Sequence, residues 1–267
     1  LSGLSYLDAV LVGLIQGVAE WLPISSKTMV MLYSLIVLGG SAATAYALGL
    51  ALQGSTVLAA MLYFWRDLAE VLRFRNVKML LFLLITTMAT GVSGVPIYLA
   101  LRCALGSSDV AVNLISIFIG AILMAQAVLL SRLSPGTKGI GDISFRDSVI
   151  LGLSQGLAAI PGISRSGITL ATLLFLRYRV EDALRLSFLA SIPANLGATL
   201  LVAIEDGGLG MLSALHALIA LLVSAATGFA AIGTLIKIAR RHGYKLTAAL
   251  GMLTLAVGVI STTFLGL

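Results

Sequence analysis

The sequence predicts an all-α polytopic membrane protein built as an inverted-topology repeat, and three observations support that expectation. The chain is 59% hydrophobic and 10% charged, with a mean hydropathy of +1.08, so its 267 residues carry more apolar surface than a soluble domain can bury. Its apolar runs recur at helical length rather than as short alternating segments, which selects spanning helices over barrel strands. Finally, Gly-Leu-Ile-Gln-Gly-Val-Ala at Gly13 to Ala19 returns as Gly-Leu-Ser-Gln-Gly-Leu-Ala at Gly152 to Ala158, and each copy soon breaks into proline, isoleucine and serine.

Taken in order, six stretches are long enough to span: Ser41 to Trp65, Met79 to Leu101, Ala111 to Ser131, Ser187 to Ile204, Met211 to Ile236 and Thr247 to Leu265. Four others, Ser5 to Trp21, Thr28 to Leu38, Asp147 to Ile160 and Gly167 to Leu176, fall short of the roughly 20 residues needed to cross a bilayer core. They come in two pairs, each interrupted by the proline-serine break, and are expected to form re-entrant hairpins over residues 5–38 and 147–176.

Loop charge orients these elements. Arg66, Arg73, Arg75 and Lys78 share one connection, Arg132, Lys138 and Arg146 a second, Arg177, Arg179 and Arg185 a third, and Lys237, Arg240, Arg241 and Lys245 a fourth. All four are expected on the cytoplasmic side. The acidic loop from Glu205 to Gly210 and the uncharged turn at Gly39 and Gly40 belong outside, and Arg102, alone in the loop to Asp109, does not overturn the pattern. These sides agree if residues 147–176 enter and leave on one face. Each half is then one hairpin plus three spanning helices, and the second half is inserted upside down relative to the first. The expected organisation is a single membrane domain, 1–267, with repeats over 1–131 and 147–267. Two full spanning helices in place of each hairpin would satisfy the charges equally; segment length favours re-entrance.

The formal net charge of +6 lies in short connections and not on an extended soluble face, so it reads as a topology signal and no nucleic-acid partner is expected. The single cysteine, Cys103, excludes a disulfide within the chain. Neither a removable leader nor an appended soluble domain is expected.

The breaks are where chemistry is expected. A helix interrupted inside a membrane exposes backbone N–H groups that protein, water or ligand must satisfy. Helices restarting after Ser26 and after Ser164 would aim their positive ends at whatever lies between them, an arrangement that favours phosphate or carboxylate. Glu20 lies one turn after Gln16 on the same helical face, and an ionisable residue in an apolar segment reads as functional. The plainer alternatives are a Glu20 that snorkels to the interface or simply pairs with Arg165, and a Gln16 that serves as interhelical glue, as Gln155 would. Arg165, flanked by Ser164 and Ser166 with Thr169 one turn on, has the make-up of a dianion clamp, against the alternative of a cytoplasm-facing loop arginine. Ser25 and Ser26 suit helix caps or a reacting hydroxyl. The Gly13/Gly17 and Gly152/Gly156 pairs permit close helix crossing. His216 and His242 lack metal-ligand spacing, Trp21 and Trp65 read as packing or interfacial aromatics, and Met29 and Met31 as lining or core residues.

Gln16-Gly17-Val18-Ala19-Glu20, the following Leu22-Pro23-Ile24-Ser25-Ser26, and Pro161-Gly162-Ile163-Ser164-Arg165-Ser166-Gly167-Ile168-Thr169 resemble the motifs of the undecaprenyl pyrophosphate phosphatase family of bacitracin-resistance type. Phe64-Trp65-Arg66 and Ser187-Phe188-Leu189-Ala190-Ser191-Ile192-Pro193 extend the likeness, so most of the chain is covered. The resemblance implies an integral cytoplasmic-membrane enzyme that hydrolyses a polyprenyl diphosphate to the monophosphate, recycling the lipid carrier of envelope glycan assembly, with its site open to the outer face. It implies a divalent cation, Mg2+ or Ca2+, held by Glu20 and Gln16, which could instead position the reacting groups. Ser26 becomes the candidate nucleophile and Arg165 the diphosphate clamp. Ser25, Lys27, Ser164, Ser166 and Thr169 become substrate-binding groups. The family's first motif usually continues Ser-Thr-Gly-His, whereas this chain has Ser26-Lys27-Thr28-Met29, so Met29 stands at the histidine position and removes any mechanism that needs that base. Lys27 is unusual there and adds positive charge beside the diphosphate. Membrane lipids and the polyprenyl diphosphate are the expected partners, and a homodimer is left open. A lipid flippase or transporter, for which inverted repeats with broken helices are also suited, and an inactive diphosphate-lipid-binding homologue are the rival readings.

Overall fold

A computed structural model of the chain describes residues 5–39, 41–106, 112–133, 136–206 and 213–263. Among them the regular structure is helical, and four helical segments are long and apolar enough to cross a membrane: Thr44–Tyr63, Val77–Cys103, Val180–Ile204 and Ala214–Gly243. The expected spans from Ala111 and to Leu265 lie partly outside the described residues, and their described apolar parts, Gly120–Leu130 and Lys245–Ile260, are shorter.

The four short segments are helices of the anticipated length: α1 (Tyr6–Ala19) and α2 (Ser26–Ile36) in the first pair, α8 (Phe145–Gly156) and α9 (Arg165–Phe175) in the second. Ser5 caps α1 through a reciprocal box with Asp8, and Ser144 caps α8 by accepting from the Asp147 N–H. The first span is two helices, α3 (Ala42–Ala51) and α4 (Gln53–Tyr63), meeting at Leu52. Next come α5 (Trp65–Leu72), α6 (Val77–Gly106), α7 (Val112–Arg132), α10 (Val180–Asp206) and α11 (Ala214–Thr263). Pro96 lies inside α6 and Pro193 inside α10, where each removes a helical hydrogen bond.

Three loop assignments are corrected. Lys237, Arg240 and Arg241 lie on α11, which bends at His242 (φ −139°, ψ 37°) and continues through Lys245. Arg102 is on α6, and residues 65–72 of the first basic connection form the amphipathic α5. Lysine and arginine are good helix formers, so a run of charge marks a water-facing stretch without marking an end of helix.

The four basic connections meet at one end of the molecule. Arg185 pairs with Asp67 at 3.1 Å and Arg240 with Glu181 at 2.7 Å. Lys78 Nζ donates to the Gly141 carbonyl, and the Lys138 main chain bonds Arg177 and Arg179 on both sides. Most of these pairs are exposed and add little stability, but they fix which segments are neighbours.

Each short-helix pair closes on itself at its base. In the second, the Tyr178 hydroxyl donates to Asp147 at 2.8 Å and Lys138 approaches the same oxygen at 3.2 Å, so this base lies at the basic end. Burial opposes the Asp147 charge, but hydrogen bonds from Tyr178, Lys138 and Ser144 outweigh it and hold the carboxyl below its ordinary value. In the first pair, Tyr33 donates to Asp8 at 2.5 Å, and Tyr6 stacks on His216 at 4.8 Å. His216 begins α11 and Arg240 lies near the basic end about 36 Å further along the helix, so the two bases are at opposite ends.

The glycine pairs seat these hairpins. A Cβ on Gly17 would stand 2.0 Å from Thr227 Oγ1 on α11, and one on Gly156 would stand 1.9 Å from Ser93 Oγ on α6. Close approach of backbones is how helices associate without a hydrophobic drive. Thus α1 lies on α11 and α8 lies on α6, and the two tips meet between them.

Removing the Tyr178 hydroxyl tests the base. Tyr178 is fully buried, and Tyr178→Phe would leave Asp147 short of a donor, costing about 1–3 kcal/mol. The expected result is a melting temperature lowered by a few degrees in detergent; an unchanged one would mean that the hydrogen bond contributes nothing.

Candidate active site

The breaks themselves build the centre. Glu20 ends α1, its N–H still bonded to the Gln16 carbonyl, and Ser25 precedes α2 at φ 61°, ψ 82°, a left-handed conformation that is strained for serine. In the second hairpin the chain leaves α8 through a 3-10 turn at Leu157–Ala159 and restarts at α9, where the Ser164 hydroxyl accepts from the Gly167 N–H at 3.3 Å.

Glu20 is 3% exposed and each carboxylate oxygen has two donors. Oε1 accepts from Arg165 Nη2 at 2.8 Å and Asn195 Nδ2 at 2.8 Å. Oε2 accepts from Gln16 Nε2 at 2.9 Å and from the Ser26 hydroxyl. The ion pair foreseen as a plain alternative is therefore present, and it joins the carboxylate of one hairpin to the guanidinium of the other. Arg165 also lies 5.5 Å over the Trp21 ring and reaches the Ser187 carbonyl with Nη1 at 3.4 Å, while its buried Nε has no partner in the structure.

The tips brace each other through backbone carbonyls. Ser164 and Ser166 both donate to the Leu22 carbonyl, at 3.2 and 2.7 Å. Lys27 Nζ donates to the Ala158 and Ile163 carbonyls, the latter at 3.0 Å, and the Gly162 N–H bonds Thr28 Oγ1 at 3.0 Å. From α7, the Gln126 amide accepts from the Ser164 N–H at 3.1 Å and donates to its carbonyl at 3.2 Å. From α11, Thr254 donates to the Pro23 carbonyl at 3.0 Å.

Glu20, Ser25, Ser26, Lys27, Gln53, Ser164 and Arg165 line one tight polar pocket with about 10 Å³ of free space. It adjoins an apolar cleft of about 460 Å³ between α6 and α10, and Gln53 and Arg165 line both. Gly91, Gly94 and Gly197 open the cleft walls, and Asn195 stands at its inner end.

Of the residues singled out from sequence, Gln16, Glu20, Ser25, Ser26, Lys27, Ser164 and Arg165 come together here. Ser166 braces from outside the pocket; Thr169, also outside, bonds the Arg165 carbonyl and Ser187 Oγ at 2.8 and 2.6 Å. Met29 packs among apolar residues with Met31, Leu35 and Tyr46. Asn195, Gln53, Gln126 and Thr28 were missed. The available signal was a lone amide within an apolar span, sharpest at Asn195, two residues beyond Pro193.

A divalent cation resident on Glu20 and Gln16 does not suit these residues. Both Glu20 oxygens are occupied by four donors, Gln16 turns its N–H2 toward the carboxylate and keeps only Oε1 without a partner, and two cations share the pocket. Among the described residues no three His, Cys, Asp or Glu side chains cluster as ligands.

The fold and the centre define a helical membrane protein whose buried cationic pocket, backed by a carboxylate and a hydroxyl, opens onto an apolar cleft. The chain belongs to the family described as bacitracin resistance protein BacA, whose model matches residues 9–260. It is similar to proteins named undecaprenyl-diphosphatase from Pyrobaculum aerophilum (36% identity, 96% of this chain and 98% of the relative) and Sulfurisphaera tokodaii (35%, 97% and 99%). One of that name from Haloarcula marismortui is 38% identical over 88% of this chain and 90% of its own.

Proposed function

We propose that this chain hydrolyses a polyprenyl diphosphate of the undecaprenyl type to the monophosphate and inorganic phosphate, returning the lipid carrier to envelope glycan assembly. The junction of the polar pocket with the apolar cleft is the observation that supports it most: a head group and a prenyl chain need those two environments side by side, and Arg165 and Gln53 line both. The family and its named relatives supply the reaction.

In this reading the terminal phosphoryl group enters by displacing Arg165 from Glu20, because the resting pocket is too tight to hold both. Arg165 then presents Nη2 and its unpartnered Nε to phosphoryl oxygens, as a guanidinium does to a phosphate. The first-turn N–H groups of α2 and α9 add the positive ends of two helices. Ser26 Oγ attacks phosphorus and gives its proton to Glu20 Oε2, the atom it already bonds, and the bridging P–O bond breaks to release the lipid monophosphate. Water then displaces Oγ from the phosphoserine, Glu20 returns its proton to Oγ, and phosphate leaves carrying both water protons as dihydrogen phosphate. No step needs a base at Met29.

The inverted repeat, with halves 1–131 and 147–267 and re-entrant hairpins about 5–38 and 147–176, is supported by hairpin bases at opposite ends, tips that meet, and Asp8 and Asp147 standing in the same register of the two copies. With the basic end cytoplasmic, the cleft runs from the centre past Val95 and Tyr98 on α6 and Leu200 and Ile204 on α10 toward the outer end, which supports a site open to the outer face.

Purified chain in proteoliposomes carrying a polyprenyl diphosphate tests the function. Phosphate release without lipid movement between leaflets is the expected result; lipid movement without phosphate release would favour a flippase.

A further inference from the structure

We propose that Lys27 is a tethered cation occupying, from within the chain, the seat that a metal ion would take beside the diphosphate; this rests on the phosphatase reading above. The seat is made of backbone. From the 3-10 turn at Leu157–Ala159 to the restart of helix at Arg165, the second hairpin turns carbonyls away from helical bonding, and Lys27 Nζ takes two of them, Ala158 and Ile163. Carbonyls freed where a helix breaks are the ligands with which broken-helix membrane proteins hold small cations. An ammonium has three donors, so one remains for a phosphoryl oxygen after both carbonyls are served.

The seat faces the reaction. Lys27 is 3% exposed and lines the same pocket as Glu20, Ser26 and Arg165. Counting these groups, two cations meet one carboxylate, a surplus of positive charge that suits an anionic head group. A divalent ion entering the same space would face both cations and find the Glu20 oxygens engaged by four donors. In this proposal Lys27 transfers no proton: its part is to neutralise charge that develops on the phosphoryl oxygens.

The test is phosphate release from farnesyl diphosphate by the purified chain in detergent, with excess chelator and with choline as the only other cation, beside Lys27→Ala. The wild type is expected to keep more than half of its activity in chelator. Lys27→Ala is expected to fall by about 10²-fold there, and to recover several-fold on addition of ethylammonium or Na+, or of Ca2+ in excess over the chelator, which refill the seat. Those ions are also expected to raise the melting temperature of Lys27→Ala but not of the wild type, a readout independent of turnover. Wild-type activity that collapses in chelator and returns with Mg2+ would overturn the proposal, as would a Lys27→Ala protein whose activity and melting temperature ignore all three ions. Should Lys27→Ala not fold, the wild-type chelator arm decides alone. A wild type inactive with and without Mg2+ defeats the phosphatase reading, and the melting arm still judges the seat.

Discussion

Arg165→Ala is expected to lower phosphate release from a polyprenyl diphosphate by on the order of 10³-fold while leaving the protein folded in detergent. Among the described residues the guanidinium is the one group that touches the carboxylate, lines the head-group pocket and reaches into the apolar cleft, so it is placed to hold the diphosphate across the bond that breaks. Losing one partner of a buried pair usually costs several kcal/mol because a charge is left alone. Here Glu20 keeps three neutral donors, Gln16, Ser26 and Asn195, and can take up a proton. Arg165→Lys is expected to recover little, since a point charge replaces a planar fork. Near-normal phosphate release by either variant, with intact melting, would remove Arg165 from the reaction.

Ser26→Ala and Glu20→Gln are expected to be almost inactive, each down by on the order of 10³-fold or more. Ser26 Oγ is the only hydroxyl bonded to Glu20 among the described residues, which joins a nucleophile to its base across the helix break. Glu20→Gln keeps the shape but turns an amide N–H2 toward donors, so it removes the proton acceptor and sets donor against donor. Because Met29 packs among apolar residues and outside the pocket, Met29→His is expected to be tolerated. Substantial turnover by Ser26→Ala would replace the serine with an attacking water, and would be read from the same phosphate assay.

The sequence displayed the four short helices clearly because proline and serine interrupt segments too short to span, and it displayed Glu20 and Arg165 because charge inside apolar sequence is costly and so is informative. It left Asn195, Gln53 and Gln126 ambiguous, since a single amide in an apolar helix reads equally as glue, and only tertiary structure reveals that Asn195 bonds the carboxylate. The break between α3 and α4 at Leu52 lacks a proline, leaving Gln53-Gly54 as its only trace. The helical path through Lys237 to Arg241 was hidden for the opposite reason: charge was read as loop where the residues favour helix. Ser164, Ser166 and Thr169 were legible as a group, but their bonding to Leu22 and Ser187 depends on which hairpin faces which, and no local pattern states that.

Phosphorus resonance of undecaprenyl diphosphate incubated with the purified chain follows the hydrolysis itself, with Arg165→Ala as the paired control. Both diphosphate signals are expected to decay together while a phosphomonoester and inorganic phosphate rise in equal amounts, and the Arg165→Ala sample is expected not to change. Unchanged diphosphate signals with the folded wild-type chain, or release of inorganic diphosphate through cleavage at the prenyl carbon, would contradict the proposed hydrolysis.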